Sequence, residues 1–232
     1  MHSKFIWVTR TAPYNILTAH RLKALGHKAL AVPLLTITPR IHEAPSTPPD
    51  ALAFTSVHAI EHHRVDSRFL HLPVFTVGER SAKVARDAGY RRVHSADGNA
   101  LDLEVLIASH MPAGAEVIHF SAAEPAGDLV LSLNQRGFSA RKITVYESRA
   151  ATSKSMSAAL AAMPWMDGVL VHSAKAARIA ADLIADCGEQ WQGVIYCISE
   201  AVADPFRSQE GSRLLIAKKP NERAMLDLIA HA

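Results

Sequence analysis

The sequence predicts an α/β fold made of two lobes, each built on a parallel sheet, and three observations carry that reading. Short apolar runs alternate with helix-like segments along the whole chain, the signature of strands covered on both faces. A set of motifs also appears twice: DALAFTSVHAI from Asp50 is echoed by DGVLVHSAKAA from Asp167, VFTVGERSAKVA from Val74 by VIYCISEAVADP from Val194, and HSADGNALDLEVLI from His94 by LIAKKPNERAMLDLIA from Leu215. A weaker echo pairs RLKALGHKALAVP near the N-terminus with SLNQRGFSARKITVY from Ser132. Such a duplication implies two similar lobes. Finally, 232 residues that are 49% hydrophobic and 20% charged suffice for two cores.

Taken in order, Phe5–Thr9 reads as a buried strand and Ile16–Leu25 as a helix ended by Gly26. Lys28–Val32 is the next strand. Leu34–Arg40 (LLTITPR) alternates apolar and polar residues, as an exposed antiparallel ladder does. Pro39, Pro45, Pro48 and Pro49 then hold the chain extended. Leu52–Ser56, Val74–Val77, Arg92–Ser95 and Glu116–Phe120 are strands, separated by helices over Ser81–Ala88 and Leu101–Ser109, the first closed by Gly89. The Leu129–Arg136 helix ends at Gly137 and leads into the Lys142–Tyr146 strand, inside a second alternating stretch, Ile143–Arg149. Met156–Met163 and Ala174–Ala185 are helices around a Gly168–His172 strand, and Val194–Ile198 and Arg213–Ala217 complete ten strands, Gly211 standing before the last. That count predicts two five-stranded sheets. Two connectivities fit: a tandem repeat breaking near Pro112–Gly114, or one lobe inserted into the other, with the two alternating stretches as crossing strands.

A net charge of +3 and a pI near 9.0 fall short of a nucleic-acid binder's dense basic stripe and suit a small anionic ligand. Cys187 and Cys197 form no CxxC pair and read as reduced thiols. The opening MHSKFIWVTR lacks an export signal's apolar core, and no stretch is long enough to span a membrane. The expectation is a soluble, cytoplasmic monomer. No GxSxG, GxGxxG or GxxxxGK[ST] is present, so nucleophile-elbow, dinucleotide and P-loop chemistry lack their loops. His58-Ala-Ile-Glu61-His62 does fit H-x-x-E-H. On a helix, His58 and His62 share a face and can ligate zinc with Glu61 as base, a competing metallopeptidase reading.

Taken together, VTR at Val8–Arg10, Leu25–Gly26 before a strand ending in Pro33, FTS at Phe54–Ser56, VGERSA at Val77–Ala82, LNQRG followed by VYESR at Val145–Arg149, HSAKAA at His172–Ala177 and Pro220 leading into Leu226–Ile229 make the chain resemble the uroporphyrinogen-III synthase family. The resemblance runs over nearly the whole chain in order. It implies two flavodoxin-like lobes joined by a two-stranded antiparallel linker: residues 1–34 with 150–232 as the first, discontinuous lobe, 42–141 as the inserted lobe, and 35–41 and 142–149 as the crossing strands. The reaction it implies is cyclisation of the linear tetrapyrrole hydroxymethylbilane, with inversion of the last pyrrole ring, loss of water and no cofactor. One departure stands out: ISEAVA at Ile198–Ala203 replaces the Gly and Thr usual in the second such turn. A non-catalytic two-lobed protein that binds an anionic small molecule is the alternative.

A substrate with carboxylates on every ring needs many hydrogen-bond donors, and an open α/β sheet offers them where strands end and helices begin. The turns that fit are Thr9–Arg10, Thr55–Ser56, Gly78–Ser81, Ser121–Ala122, Ser173–Lys175 and Ser199–Glu200. From these, Arg10, Thr55, Ser56, Gly78, Ser81, Ser173, Lys175 and Ser199 are the expected substrate-binding residues, although Ser after a strand also caps helices in any protein. The resemblance further implies that Tyr146 faces the substrate, where its hydroxyl can assist departure of the leaving hydroxyl. No metal is expected.

Overall fold

The computed structural model describes residues 2–209, 211 and 213–231. The chain forms β1 (Phe5–Val8), α1 (Tyr14–Ala24), β2 (Lys28–Ala31), β3 (Leu35–Pro39), β4 (Ala51–Phe54), α2 (Val57–His62), β5 (Pro73–Thr76), α3 (Glu79–Asp87), β6 (Arg92–Ser95), α4 (Ala100–His110) and β7 (Glu116–Ala122). It continues through α5 (Leu129–Gln135), β8 (Ser139–Ala150), α6 (Ser153–Ala162), β9 (Gly168–Val171), α7 (Ala174–Cys187), β10 (Val194–Cys197), α8 (Glu200–Ala203), β11 (Arg213–Ile216) and α9 (Glu222–His231). Two compact units result, one of residues 1–36 and 149–232, the other of residues 37–148.

In the first unit the strand order is β11-β10-β9-β1-β2, all parallel. Composition follows position in the sheet. The inner strands GVLV and VIYC are buried at every residue, whereas the outer KALA and RLLI have an exposed end. One face is covered by α7, whose Ala176, Ala177, Ala180, Ala181 and Ile184 are buried against Trp7, Val169 and Ile195. Those small side chains, repeating at helical spacing, let the helix lie close to the sheet. The other face packs Leu22 of α1 and Met225 and Ile229 of α9 on Ile6, Val8 and Tyr196.

The second unit holds a six-stranded sheet, β3-β8-β7-β4-β5-β6, where five were expected. The difference lies in β8. It is one continuous strand of 12 residues, parallel to β7 from Ser139 to Tyr146 and flanked on its other edge by β3. Arg40 N–H donates to the Val145 carbonyl at 2.9 Å, and Ala151 N–H to the Leu34 carbonyl at 2.9 Å, so β3 and β8 run in opposite directions. Residues 142–146, expected in a separate linker, therefore also extend the parallel sheet.

The repeated motifs occupy equivalent places. Counted from β9, the first sheet runs third-second-first-fourth-fifth once β1 and β2 are taken as fourth and fifth; counted from β4, the second runs the same way through β8. The two units are thus circular permutants of one strand order. The Asp that opens each repeat has a matching task. Asp50 Oδ2 accepts the Glu116 N–H of β7 at 2.8 Å, and Asp167 Oδ2 accepts the Phe5 N–H of β1 at 2.6 Å. Each aspartate ties down the first amide of the neighbouring strand, which lies outside that strand's ladder.

Candidate functional site

The expected substrate-binding residues lie just beyond the carboxyl ends of strands or in the first turns of the helices that follow, where an open α/β sheet presents its ligand-binding loops, whereas Tyr146 lies within β8 (Ser139–Ala150). They fall into two sets. Thr55, Ser56, Gly78, Ser81 and Tyr146 belong to the second unit; Arg10, Ser173, Lys175 and Ser199 belong to the first.

In the second unit Ser56 is extended and caps α2, its hydroxyl accepting the His58 N–H at 3.2 Å. The same hydroxyl lies beside the Tyr146 phenol. Tyr146 stands on β8 opposite Ala122 of β7 and is 7% exposed. Burial raises its pKa above the ordinary phenol value, and the nearby Ser56 hydroxyl offsets part of that rise. The phenol therefore holds its proton at neutral pH. Its ring is 5.8 Å from that of His58 and 6.2 Å from that of His62, centre to centre. His58 Nδ1 lies 2.9 Å from Glu61 Oε2. Burial lowers the His58 pKa most, the Glu61 bond opposes that, and the charges of His62 and Arg80 lower it further.

Thr55, one residue earlier, turns to the other side of the strand. Its hydroxyl is 3.0 Å from His119 Nε2 on β7. His119 is pushed down to about 4, chiefly by burial and then by the Lys142 charge, so it is neutral. It borders a cavity of about 550 Å³ whose lining includes Asp128 and Lys142. Sequence reasoning passed over His119, because one His inside an apolar strand carries no spacing signal. On the next strand, Gly78 is the extended N-cap of α3 and Ser81 is buried in its first turn. Ser121, expected in a turn, instead belongs to β7, and its buried hydroxyl finds no partner among the described residues.

In the first unit, Arg10 donates to Thr18 Oγ1 at 3.2 Å, pairs with Glu222 at 3.4 Å and covers the Tyr14 ring. Glu222 also bonds Thr18 and Arg21. Against the opposing effect of burial, those bonds and the two arginine charges hold its pKa below the usual carboxylate range. Ser173 caps α7 through the Ala176 N–H at 3.2 Å, and Lys175 lies in that helix's first turn. Ser199 caps the four-residue α8 without a side-chain bond. The ISEAVA departure has a simple packing correlate: Val202 and Ala203 are buried in the core of this unit, while Ala201 is exposed. The 420 Å³ cavity of this unit, lined by Asp167, Val194 and Arg213, opens at the amino ends of the strands, away from these residues.

The zinc-type motif folds as its spacing predicts. His58, Glu61 and His62 lie on α2, and their candidate ligand atoms all fall within 4.8 Å of one another.

A family model described as Uroporphyrinogen-III synthase HemD matches residues 17–227. No curated protein matches the sequence. Among solved structures, uroporphyrinogen-III synthetase from Helicobacter pylori 26695 is 19% identical, with 99% of each chain covered and a TM-score of 0.66. A mutant uroporphyrinogen III synthase from the extremely thermophilic bacterium Thermus thermophilus is 12% identical, with 99% of this chain and 98% of that chain covered and a TM-score of 0.61. At such identities the likeness of the two structures is one of fold.

Proposed function

The chain belongs to the uroporphyrinogen-III synthase family, whose model spans residues 17–227, and from that premise we propose how its own residues serve the reaction. The protein is a uroporphyrinogen-III synthase, cyclising hydroxymethylbilane with inversion of the terminal ring and loss of water in tetrapyrrole biosynthesis. The match across most of the chain carries this conclusion, and nothing supports the non-catalytic alternative. The metallopeptidase reading falls with it.

The substrate supplies its own electron push: pyrrole nitrogen lone pairs expel the terminal hydroxyl, and the substituted carbon of the last ring attacks the azafulvene that results. What remains for the protein is to fold a flexible chain so that its ends meet, and to ease departure of the hydroxyl. Tyr146 suits the second task, because a buried phenol with a raised pKa is a neutral donor at pH 7. The His58 N–H fixes the Ser56 hydroxyl beside the phenol, and the phenol proton serves the departing hydroxyl.

Thr55, Ser56, Gly78 and Ser81 form one carboxylate-binding set, and Arg10, Ser173, Lys175 and Ser199 another, with N–H groups at the starts of α3 and α7 as further donors. Arg10 reaches substrate only by sharing its guanidinium with Glu222. We read both units as flavodoxin-like, residues 35–41 and 142–149 as the link between them, and the reaction as independent of any cofactor. The enzyme works as a cytoplasmic monomer that binds no nucleic acid. Two free thiols, Cys187 and Cys197, fit a reducing compartment, and no helix of the described residues is long and apolar enough to cross a membrane.

The test is incubation with hydroxymethylbilane generated in situ, with the uroporphyrinogen isomers separated. The expected result is the type III isomer in excess. A product mixture matching the spontaneous type I outcome would overturn the reading.

A further inference from the structure

The reaction described above uses no metal, yet α2 gathers a ligand set that it leaves unexplained. His58, Glu61 and His62 occupy one helical face, and their candidate ligand atoms lie within 4.8 Å of one another. A tetrahedral ion with bonds near 2.1 Å needs ligand atoms about 3.4 Å apart. His58 Nδ1 and Glu61 Oε2 are already at 2.9 Å, so small side-chain rotations close the set. The His58 and His62 rings lie nearly parallel, with 19° between their planes and centres 6.3 Å apart.

We propose that His58, Glu61 and His62 bind one divalent transition-metal ion of the zinc class, and that the occupied site slows turnover. Two neutral imidazoles and one carboxylate are donors that suit Zn²⁺, Co²⁺, Ni²⁺ or Cu²⁺ and disfavour Mg²⁺ and Ca²⁺. His58 and Glu61 side chains are 13% and 31% exposed, enough for an ion to enter. The Glu61 carboxylate offsets part of the ion's charge.

Turnover enters because both imidazoles lie against the Tyr146 ring, at 5.8 and 6.2 Å. Drawing them onto an ion shifts the wall against which the phenol is packed and places a cation beside its ring. The inhibition rests on the role given to Tyr146; the metal site itself does not.

The experiment is a Zn²⁺ titration of the whole protein by calorimetry in a non-chelating buffer, with Co²⁺ absorption as a second probe, alongside turnover with Zn²⁺ or with a chelator. Wild type is expected to bind one Zn²⁺ that His62→Ala weakens at least tenfold. Glu61→Gln, which keeps the side-chain shape, should weaken it as well. His110→Ala, which breaks the separate His94–His110 pair, with rings 4.6 Å apart, should leave that binding unchanged. Zn²⁺ should slow the wild type and spare His62→Ala. Equal Zn²⁺ affinity in wild type, His62→Ala and Glu61→Gln overturns the site. Binding that is lost in His62→Ala but never slows the wild type upholds the site and overturns its action through Tyr146.

Discussion

The Ser56 hydroxyl lies close enough to the Tyr146 phenol to lower its pKa, so the residue that starts α2 also bears on the phenol carried by β8. A cap and a candidate acid are thereby one local structure, and a change to either residue touches both.

Tyr146→Phe removes the only proposed proton donor. The expected loss is about 10²–10⁴-fold in kcat, with KM little changed, since a proton donor acts in the transition state. Ser56→Ala should lose less, on the order of ten- to a hundredfold, because one donor among several is missing. Initial rates across substrate concentration separate the two terms, and a wild-type kcat in Tyr146→Phe removes the acid role.

Acid should destabilise the second unit between pH 6.5 and 4. Burial, above all, lowers both His63 and His119 from 6.5 to about 4. In that window the unfolded chain binds more protons than the folded one, so stability is fully present above pH 6.5 and falls as the pH drops towards 4. Each histidine withdraws roughly 3 kcal/mol over the range. Urea unfolding at steps from pH 7.5 to 4.5 reads the slope, which should be shallower in His119→Gln whatever that variant's stability at pH 7.

The Tyr90 hydroxyl is 2.6 Å from His63 Nε2, whose other nitrogen is 2.6 Å from the Ile60 carbonyl. Tyr90→Phe leaves a buried ring nitrogen unpaired. The expected cost is about 1–3 kcal/mol in chemical denaturation at neutral pH.

Two glycines should behave oppositely. A Cβ on Gly168 would sit 2.7 Å from the Val194 carbonyl oxygen and 2.7 Å from the Tyr196 ring, and backbone cannot yield as a side chain can. Gly168→Ala should cost at least about 1–3 kcal/mol. Around Gly78 nothing lies within 4 Å and φ is −150°, so Gly78→Ala meets no clash and should cost no more than about 1 kcal/mol, the loss of a good N-cap. If the start of α3 meets substrate, that same variant raises KM, and steady-state kinetics on the folded protein show it.

Much of this was legible in the sequence, for identifiable reasons. The inner strands could be read because ALAF, GVLV and VIYC are buried on both faces and so carry unbroken apolar runs. Gly26, Gly89 and Gly137 marked helix ends because each adopts a positive φ that other residues resist. The extent of β8 was hidden because its parallel half and its β3-facing half obey different burial rules within one strand. Four-residue α8 was hidden because a single turn has no period to detect. Ser56 could be named as a cap, yet its place beside Tyr146 joins positions far apart in the chain, which local pattern cannot reveal. The same holds for Thr55 and His119.

The place of β1 in its sheet sets a timetable for the ribosome. β1 is made well before β9 but lies between β2 and β9, and β9 is translated only after the whole second unit has been made. When residues 37–148 have emerged they already contain every strand from β4 to β7 and nearly all of β8. That segment can fold while the N-terminal β1–α1–β2 piece still has one edge unsatisfied. Nascent chains released after residue 150 should therefore carry an ordered interior beside an exposed parallel edge, the condition in which chaperones engage a growing polypeptide.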